Sequence, residues 1–223
     1  MPPLPRSTRV TTAYDRLRHD ILNTRLPPGF QATEPEWAAR LGMSRTPVHE
    51  ALLRLDHDGL VELIPRRGAR VLPVSPQDMA EIYEILAALE PEAAAGLAAR
   101  APDQRDLSDL ITAQNQMETA LDADDLDAWA KADDAFHRGL LTAYGNRRMA
   151  CYLGTLYDQA HRARMVTLRL RARPLASTRD HRAILTALQT GDAGTVRDLF
   201  RAHRARTARE LLALLDAYRL PQL

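Results

Sequence analysis

Apolar residues recur at helical spacing in three short segments near the start of the chain. The first two segments carry the following apolar positions: Val10, Tyr14, Leu17 and Ile21, then Trp37, Ala38 and Leu41. The third begins at Ser44, a favourable N-cap, and is marked by Val48, Leu52 and Leu55. Alternating apolar residues then indicate two strands, at 60–64 and 69–72, on either side of a turn at 65–68. The pattern predicts three helices followed by a β-hairpin.

The third helix has the features of a surface that binds a polyanion. With its apolar stripe turned inward, Arg45, Thr46 and His49 project from the opposite side of its first turn, where the helix dipole favours phosphate. We therefore expect contacts to double-stranded DNA from this helix and from the basic turn of the hairpin, through the following residues: Ser44, Arg45, Thr46, Pro47, His49, Arg66, Arg67 and Gly68. The alternative is a small helical domain with a solvated basic turn.

The remainder of the chain predicts only helices. A capping box at Ser75–Asp78, with Pro76 at the first helical position, begins the first of them. Breaks in the apolar pattern place helices at 76–100, 103–122, 125–144, 146–172, 178–190 and 193–218. Short connections favour antiparallel neighbours. The predicted fold is mainly α, with an N-terminal winged helix-turn-helix and a C-terminal antiparallel six-helix bundle that has room for a central pocket.

Length and composition agree with two modest domains. The chain has 223 residues, of which 45% are hydrophobic. We divide it into a flexible arm at 1–9, the winged helix-turn-helix at 10–73, a linker at 74–77, a helical domain at 78–218 and a tail at 219–223. The formal net charge of +1 requires that DNA binding come from the local placement of basic residues. The single cysteine excludes an intrachain disulfide, and no apolar run has bilayer length, so we expect a cytoplasmic protein with no membrane partner.

Four polar residues of the helical domain are candidate ligands for a divalent metal ion: Asp133, His137, His181 and His203. Asp133 and His137 are four residues apart and share a helix face, while the two other histidines occur on the last two helices. Three imidazoles and a carboxylate suit zinc first, with nickel or manganese as alternatives, and leave positions for water or an acidic effector. The spacing alone also fits a surface pair between an aspartate and a histidine on one helix.

Other polar residues are weaker candidates. His161, Arg162 and Arg164 could line the pocket and bind a carboxylate, although a solvated helix face explains them equally well. The last helix carries a cluster of arginines that we expect to face solvent or an interface: Arg201, Arg204, Arg206 and Arg209.

Residues from about 10 to 73 resemble the winged-helix domain of the GntR family of bacterial transcription regulators. The resemblance is carried by Leu26–Gly29, Leu41–Val48, Leu55, Gly59–Val61 and Arg67–Gly68, in that order and spacing. Two positions depart from the family pattern. His49 occupies a position where the family usually has an arginine, and Glu34–Glu36 replaces a segment that often carries a basic residue. The loss of a bidentate guanidinium contact at His49 implies an altered operator or weaker binding.

Residues 76–218 resemble the FCD effector domain of the FadR branch of that family. The resemblance is carried by Asp133–His137, Gly145–Asn146, Asp180–Leu185, Gly191–Asp192 and Ala202–His203. It implies that the four candidate ligands bind a metal ion and that small carboxylic acids bind on or beside it, altering the affinity of a homodimer for its operator. Leu86 departs from the pattern, since the family commonly has an arginine there.

Two classes of function are consistent with these features. The first is a homodimeric transcription regulator, expected to be a repressor, that reads a palindromic DNA site and responds to a carboxylic acid effector. The second is a metal-dependent hydrolase that uses the Asp/His site. Such an enzyme needs a separate general acid or base, and the sequence offers only Asp134 or Asp180 near the histidines. We therefore expect a regulator and not an enzyme.

Overall fold

The computed structural model describes residues 6–218, which form two compact units that divide between Val74 and Ser75. The elements of the N-terminal unit are α1 (Arg6–Leu22), β1 (Gln31–Ala32), α2 (Glu34–Leu41), α3 (Arg45–His57), β2 (Val61–Ile64) and β3 (Gly68–Val71). Three helices and a hairpin occur in the predicted order, which confirms the winged helix-turn-helix. Residues 6–9 of the predicted arm belong to α1, whereas residues 1–5 and the predicted tail at 219–223 lie outside the described residues.

A third strand completes the sheet of this unit. The strand order is β1-β3-β2, both pairings are antiparallel, and Ala32 of β1 lies opposite Ala69 of β3. Gly68 begins β3 with φ of 84°, and a Cβ atom there would lie 2.1 Å from the carbonyl oxygen of Ala32. Only glycine permits this close approach. The two residues of β1 are too few to show a strand period, so the sequence pattern predicts only the hairpin.

The buried side chains of α1, α2 and α3 form one core with the sheet. Leu17, Trp37 and Leu52 are each at most 1% exposed. Polar contacts connect the same elements, because Arg16 donates to the Leu41 carbonyl at 2.9 Å and the Leu63 amide donates to Asp56 at 3.0 Å. These contacts hold the C-terminal end of α2 and the start of the wing against the helices that precede them.

The C-terminal unit contains the six predicted helices. They are α4 (Pro76–Ala98), α5 (Ser108–Asp122), α6 (Leu126–Tyr144), α7 (Arg147–Thr167), α8 (Leu175–Thr190) and α9 (Ala193–Tyr218), with a short 3-10 helix at Leu168–Leu170. The Ser75 hydroxyl accepts a hydrogen bond from the Asp78 amide at 3.2 Å, which is one of the two hydrogen bonds of the predicted capping box. None of the described helices is long and apolar enough to cross a membrane.

Three helix boundaries differ from the prediction by at least three residues. The Asp103 carboxylate accepts from the amides of Arg105 and Asp106, which forms a turn and delays α5 until Ser108. Helix α7 ends earlier than expected and α8 begins at Leu175, immediately after Pro174. Residues 168–174 therefore form a separate segment that connects α7 to α8.

Candidate DNA-binding surface and metal centre

Helix α3 presents the predicted polar residues at its N-terminal turn. Ser44 is the N-cap with extended backbone angles, although its hydroxyl makes no capping hydrogen bond. Arg45, Thr46 and His49 are exposed. Pro47 is buried beside Val48 and belongs to the helix core, which removes it from the expected DNA-contacting set.

The turn of the wing carries two further basic residues. Arg66 and Arg67 are both exposed, and Arg66 has a positive φ of 64° that continues the turn toward Gly68. Within residues 6–218, the guanidinium groups of Arg45, Arg66 and Arg67 have no ion-pair partner. Three unpaired cations on α3 and the wing are suited to phosphate oxygens.

His49 differs from these arginines because it already has a partner. Its Nδ1 atom lies 2.7 Å from Oε1 of Glu34, and both side chains are more than one-third exposed. His49 is thus paired with a residue of the segment 34–36, which is the other departure from the family pattern in this domain.

The structure brings three of the predicted metal ligands together in the core of the C-terminal unit. His137 on α6, His181 on α8 and His203 on α9 place one nitrogen atom each within 4.8 Å of the others. All three side chains are at most 2% exposed. Residues separated by 66 positions in the chain therefore form one buried cluster.

Each imidazole is oriented by a polar contact at its Nδ1 atom. The Nδ1 of His137 lies 3.0 Å from Oε1 of Glu90, and the Nδ1 of His203 lies 3.2 Å from Oδ2 of Asp180. The Nδ1 of His181 lies 3.3 Å from the sulfur of Met117. Such contacts leave Nε2 as the metal-binding atom. The buried Nε2 atoms of His137 and His181 have no hydrogen-bond partner among the described residues.

Asp133 lies beside the three histidines. Its Oδ1 is 3.7 Å from Nδ1 of His181 and its Oδ2 is 4.0 Å from Nε2 of His137. Nη2 of Arg164 lies 2.7 Å from Oδ2 of Asp133, although this oxygen accepts no hydrogen bond of acceptable geometry. Burial raises the pKa of Asp133, but Arg164 and the histidines outweigh burial and hold it well below its usual range.

This donor set fits a divalent metal ion. Neutral imidazoles and an ionised carboxylate are the forms that bind metals, and burial lowers the pKa of His203 to about 4, which keeps its ring neutral. The orphaned Nε2 atoms are costly in a core that offers them no donor. A metal ion would satisfy both, with Asp133 as the fourth candidate ligand.

A buried network that the sequence did not predict holds the cluster in place. Glu90 on α4 forms an ion pair with Arg204 and accepts a hydrogen bond from the Tyr157 hydroxyl at 2.8 Å. Nη2 of Arg204 also lies 3.0 Å from Nδ1 of His137. Burial raises the pKa of Glu90, but the charge of Arg204 and the contact with His137 outweigh burial and lower the pKa to about 2. The expectation that Arg204 faces solvent or an interface was wrong, since it is 2% exposed.

The candidate effector residues are also buried. His161, Arg162 and Arg164 are 6%, 2% and 7% exposed, so they do not form a solvated helix face. Burial lowers the pKa of Arg162 to about 10 and that of His161 to about 4. Arg164 connects this group to the metal cluster through Asp133.

Family models match both units of the chain. Residues 9–71 match the gntR family of bacterial regulatory proteins, and residues 81–206 match the FCD domain. The chain belongs to the GntR family. An HTH-type transcriptional repressor of Escherichia coli K12, RspR, is 30% identical to this GntR protein over 191 residues, which cover 85% of this chain and 83% of the relative.

Two further proteins are similar to this GntR protein over more than half of its length. An uncharacterised HTH-type transcriptional regulator of Agrobacterium vitis is 47% identical over 135 residues, or 60% of this chain and 79% of the relative. The crystal structure of a GntR regulator from Rhodococcus sp. RHA1 has the same fold, with a TM-score of 0.80, 24% identity and coverage of 92% and 98% of the two chains.

The family and the relatives decide between the two classes of function considered from the sequence. This GntR protein is a DNA-binding transcription regulator with a small-molecule effector domain, not a hydrolase. Asp134, one of the two acid-base candidates of the enzyme alternative, is paired with Arg138 at 2.6 Å. Asp180, the other, lies against His203 and Arg206.

Proposed function

We propose that this regulator is a homodimeric repressor whose affinity for a palindromic operator is set by a small carboxylic acid bound at a metal ion in the C-terminal unit. The observation that carries the proposal is the buried cluster of three imidazoles, two of which have Nε2 atoms without a partner among the described residues. Asp133 supplies the carboxylate ligand, and zinc is the expected ion, with nickel or manganese as alternatives.

DNA recognition is assigned to one face of the N-terminal unit. The first turn of α3 enters the major groove, where Arg45 and Thr46 contact base edges or phosphates, and Arg66 and Arg67 of the wing contact the backbone. A homodimer repeats this arrangement at two half-sites, which requires a palindromic operator.

Effector recognition is assigned to the positive side of the metal cluster. A bound divalent ion supplies a Lewis acid to which a carboxylate oxygen can bind. His161, Arg162 and Arg164 are the cationic and polar groups assigned to the rest of such an anion, and Arg164 already contacts Asp133. The acid changes operator affinity only if it prefers one of two arrangements of the dimer, by its differential affinity for them.

The DNA part of the proposal is tested by selecting genome fragments with the purified protein at fixed salt and footprinting the recovered DNA. The expected result is a protected palindrome, whose protection by Arg45→Ala requires about tenfold more protein. Protection of a single asymmetric site would contradict the homodimer, and no enrichment at low salt would contradict operator binding.

The metal part is tested by measuring the metal content of purified His137→Ala and His203→Ala by mass spectrometry. Both variants should lose the ion while their metal-free forms keep the DNA affinity of the metal-free wild type. His19→Ala, an exposed histidine in α1, is the control and should keep the ion. Unchanged metal content in both cluster variants, or a loss of DNA binding equal to that of Arg45→Ala, would overturn this division of roles.

A further inference from the structure

A cavity lies where the connection at 168–174 and the start of α8 meet α9. Its volume is about 550 Å³, and its wall includes Arg171, Ser177, Arg206 and Glu210 together with apolar residues of α9. None of the polar residues of this wall is among the candidate metal ligands.

Arg171 is the unusual member of this wall. Its Nε and Nη2 atoms are buried and have no hydrogen-bond partner among the described residues. Arg206, in contrast, donates hydrogen bonds to Asp180, Glu210 and Ser177. Burying a guanidinium group with two unpaired N–H donors destabilises the folded protein. Native proteins retain such a group where a ligand or an ion supplies the missing partner.

The position of Arg171 connects the cavity to the metal cluster. Its guanidinium carbon lies 5.7 Å from the centre of the Trp129 ring. Trp129 precedes Asp133 by one turn of α6, so Arg171 lies on the same side of α6 as the metal site. Burial, followed by the charge of Arg164, lowers the pKa of Arg171 from its usual value.

The charges near this wall balance only while no ion is bound. The residues are Arg164, Arg171 and Arg206 against Asp133, Asp180 and Glu210. Arg164 contacts Asp133, but its Nη1 atom is buried without a partner among the described residues. A divalent ion would share the same carboxylate and add two positive charges. The Glu90 carboxylate does not compensate, because it is already paired with Arg204. No carboxylate near this wall remains to match the charge of the ion, which favours a ligand with more than one negative charge.

We propose that the effector is a small organic dianion, with one carboxylate at the metal and Arg164 and a second acidic group on the orphaned N–H groups of Arg171. This inference rests on the proposed function, since it assumes that the acid binds at the metal. It adds a second anion subsite, formed by Arg171 at the inner wall of the cavity, and it makes the number of acidic groups the basis of effector selection.

The test compares matched acids on the zinc-loaded full-length protein by calorimetry. Malonate, succinate and glutarate are the dianions, and propionate, butyrate and valerate are the monoanions of equal chain length. At least one dianion should bind tenfold or more tightly than its matched monoanion. In Arg171→Met this preference should fall by about 10- to 100-fold, as expected for losing charge-assisted hydrogen bonds, while monoanion affinity stays within twofold.

Arg169→Met is the control, because Arg169 is an exposed arginine in the same connection whose partner is Asp127. It should keep the dianion preference. A second measurement separates binding from folding: without ligand, Arg171→Met should have a higher Tm than the wild type, because a buried unpaired charge has been removed.

The possible outcomes separate the two proposals. If neither class of acid binds to zinc-loaded protein that retains its ion, the proposed function fails. If monoanions bind as well as dianions, or if Arg171→Met weakens both classes equally, only the second subsite is overturned. A lower Tm for ligand-free Arg171→Met would indicate a structural role and would also overturn it.

Discussion

Two histidine–carboxylate pairs show how differently the two units of this regulator use the same chemistry. His49 and Glu34 lie 2.7 Å apart on the outer face of the N-terminal unit, where 47% and 38% of their side chains are exposed. His137 and Glu90 lie 3.0 Å apart in the core of the C-terminal unit and are at most 2% exposed.

The difference lies in what surrounds each pair. On the surface, water and salt screen the ions, so the contact contributes little to folding and can be exchanged for DNA. In the core, Tyr157 and Arg204 complete the contacts of Glu90, so the orientation of His137 is fixed. The N-terminal unit therefore keeps charges available to a partner, whereas the C-terminal unit uses them to position metal ligands.

The largest expected effect comes from breaking the buried pair. Glu90→Gln leaves Arg204 in the core without a counter-charge and should lower the free energy of unfolding of the C-terminal unit by about 3–5 kcal/mol. Glu92→Gln is the matched control, since Glu92 also binds two arginines, Arg197 and Arg201, but at the surface. It should cost about 0–1 kcal/mol.

The two tryptophans make this measurement specific for one unit. Trp37 is buried in the N-terminal unit and Trp129 in the C-terminal unit. In a Trp37→Phe background, urea unfolding followed by tryptophan fluorescence reports the C-terminal unit through Trp129 alone. Equal losses for the two glutamine variants would show that burial does not distinguish the pairs, and the comparison would fail.

The next effect concerns orientation of a metal ligand. Asp180→Asn weakens the contact at Nδ1 of His203 and should lower zinc affinity by about 10- to 100-fold. Asp134→Asn is the control, because Asp134 neighbours the candidate ligand Asp133 but pairs with Arg138. Competition with a chromophoric chelator measures both affinities. A loss of zinc affinity in Asp134→Asn as large as in Asp180→Asn would mean that net charge, not orientation, controls the site.

The sequence predicted the parts of this architecture that have a local signal. The helix starts at Ser44 and Ser75 and the turn at 65–68 are encoded within a few residues, and the structure has all three. The cluster of three histidines followed from the family resemblance, since the spacing supported only the pair on α6.

Contacts between distant residues had no such signal. Glu90 and Arg204 are separated by 114 positions, and an arginine on a polar helix face usually indicates solvent. A glutamate within the long apolar run of α4 is the one feature that could have identified Glu90 as buried. Nothing in the segment 168–174 distinguishes Arg171 from its exposed neighbours Arg169 and Arg173, so only the fold shows which guanidinium lies inside.

On the DNA-binding surface the expected effects are smaller. Arg45→Ala should reduce operator affinity by about tenfold and lower the salt dependence by about one counterion, because one unpaired cation is removed from the face. Arg54→Ala is the control on the same helix. Its guanidinium carbon lies 4.4 Å from the centre of the Tyr14 ring, in the last turn of α3. Fluorescence anisotropy across a salt series measures the operator affinity of both variants. If Arg45→Ala and Arg54→Ala had the same salt dependence, Arg45 would be excluded from the interface.

The smallest effect on stability should come from the exposed pair. Glu34→Gln and His49→Ala should each change the free energy of unfolding by less than about 1 kcal/mol, and a double-mutant cycle should give a coupling of similar size.

The same two variants should nevertheless change the affinity for the operator. Removing the Glu34 carboxylate takes a negative charge from the face that meets phosphate and releases His49 to contact DNA, so Glu34→Gln should bind more tightly at low salt. When Glu34→Gln is added to His49→Ala, there is no imidazole to release. The gain in operator affinity should then be smaller and should come only from reduced repulsion between Glu34 and phosphate. If Glu34→Gln weakens binding instead, the carboxylate itself contacts the operator, and the exposed pair has a fixed geometry with a defined role, like the buried pair of His137 and Glu90.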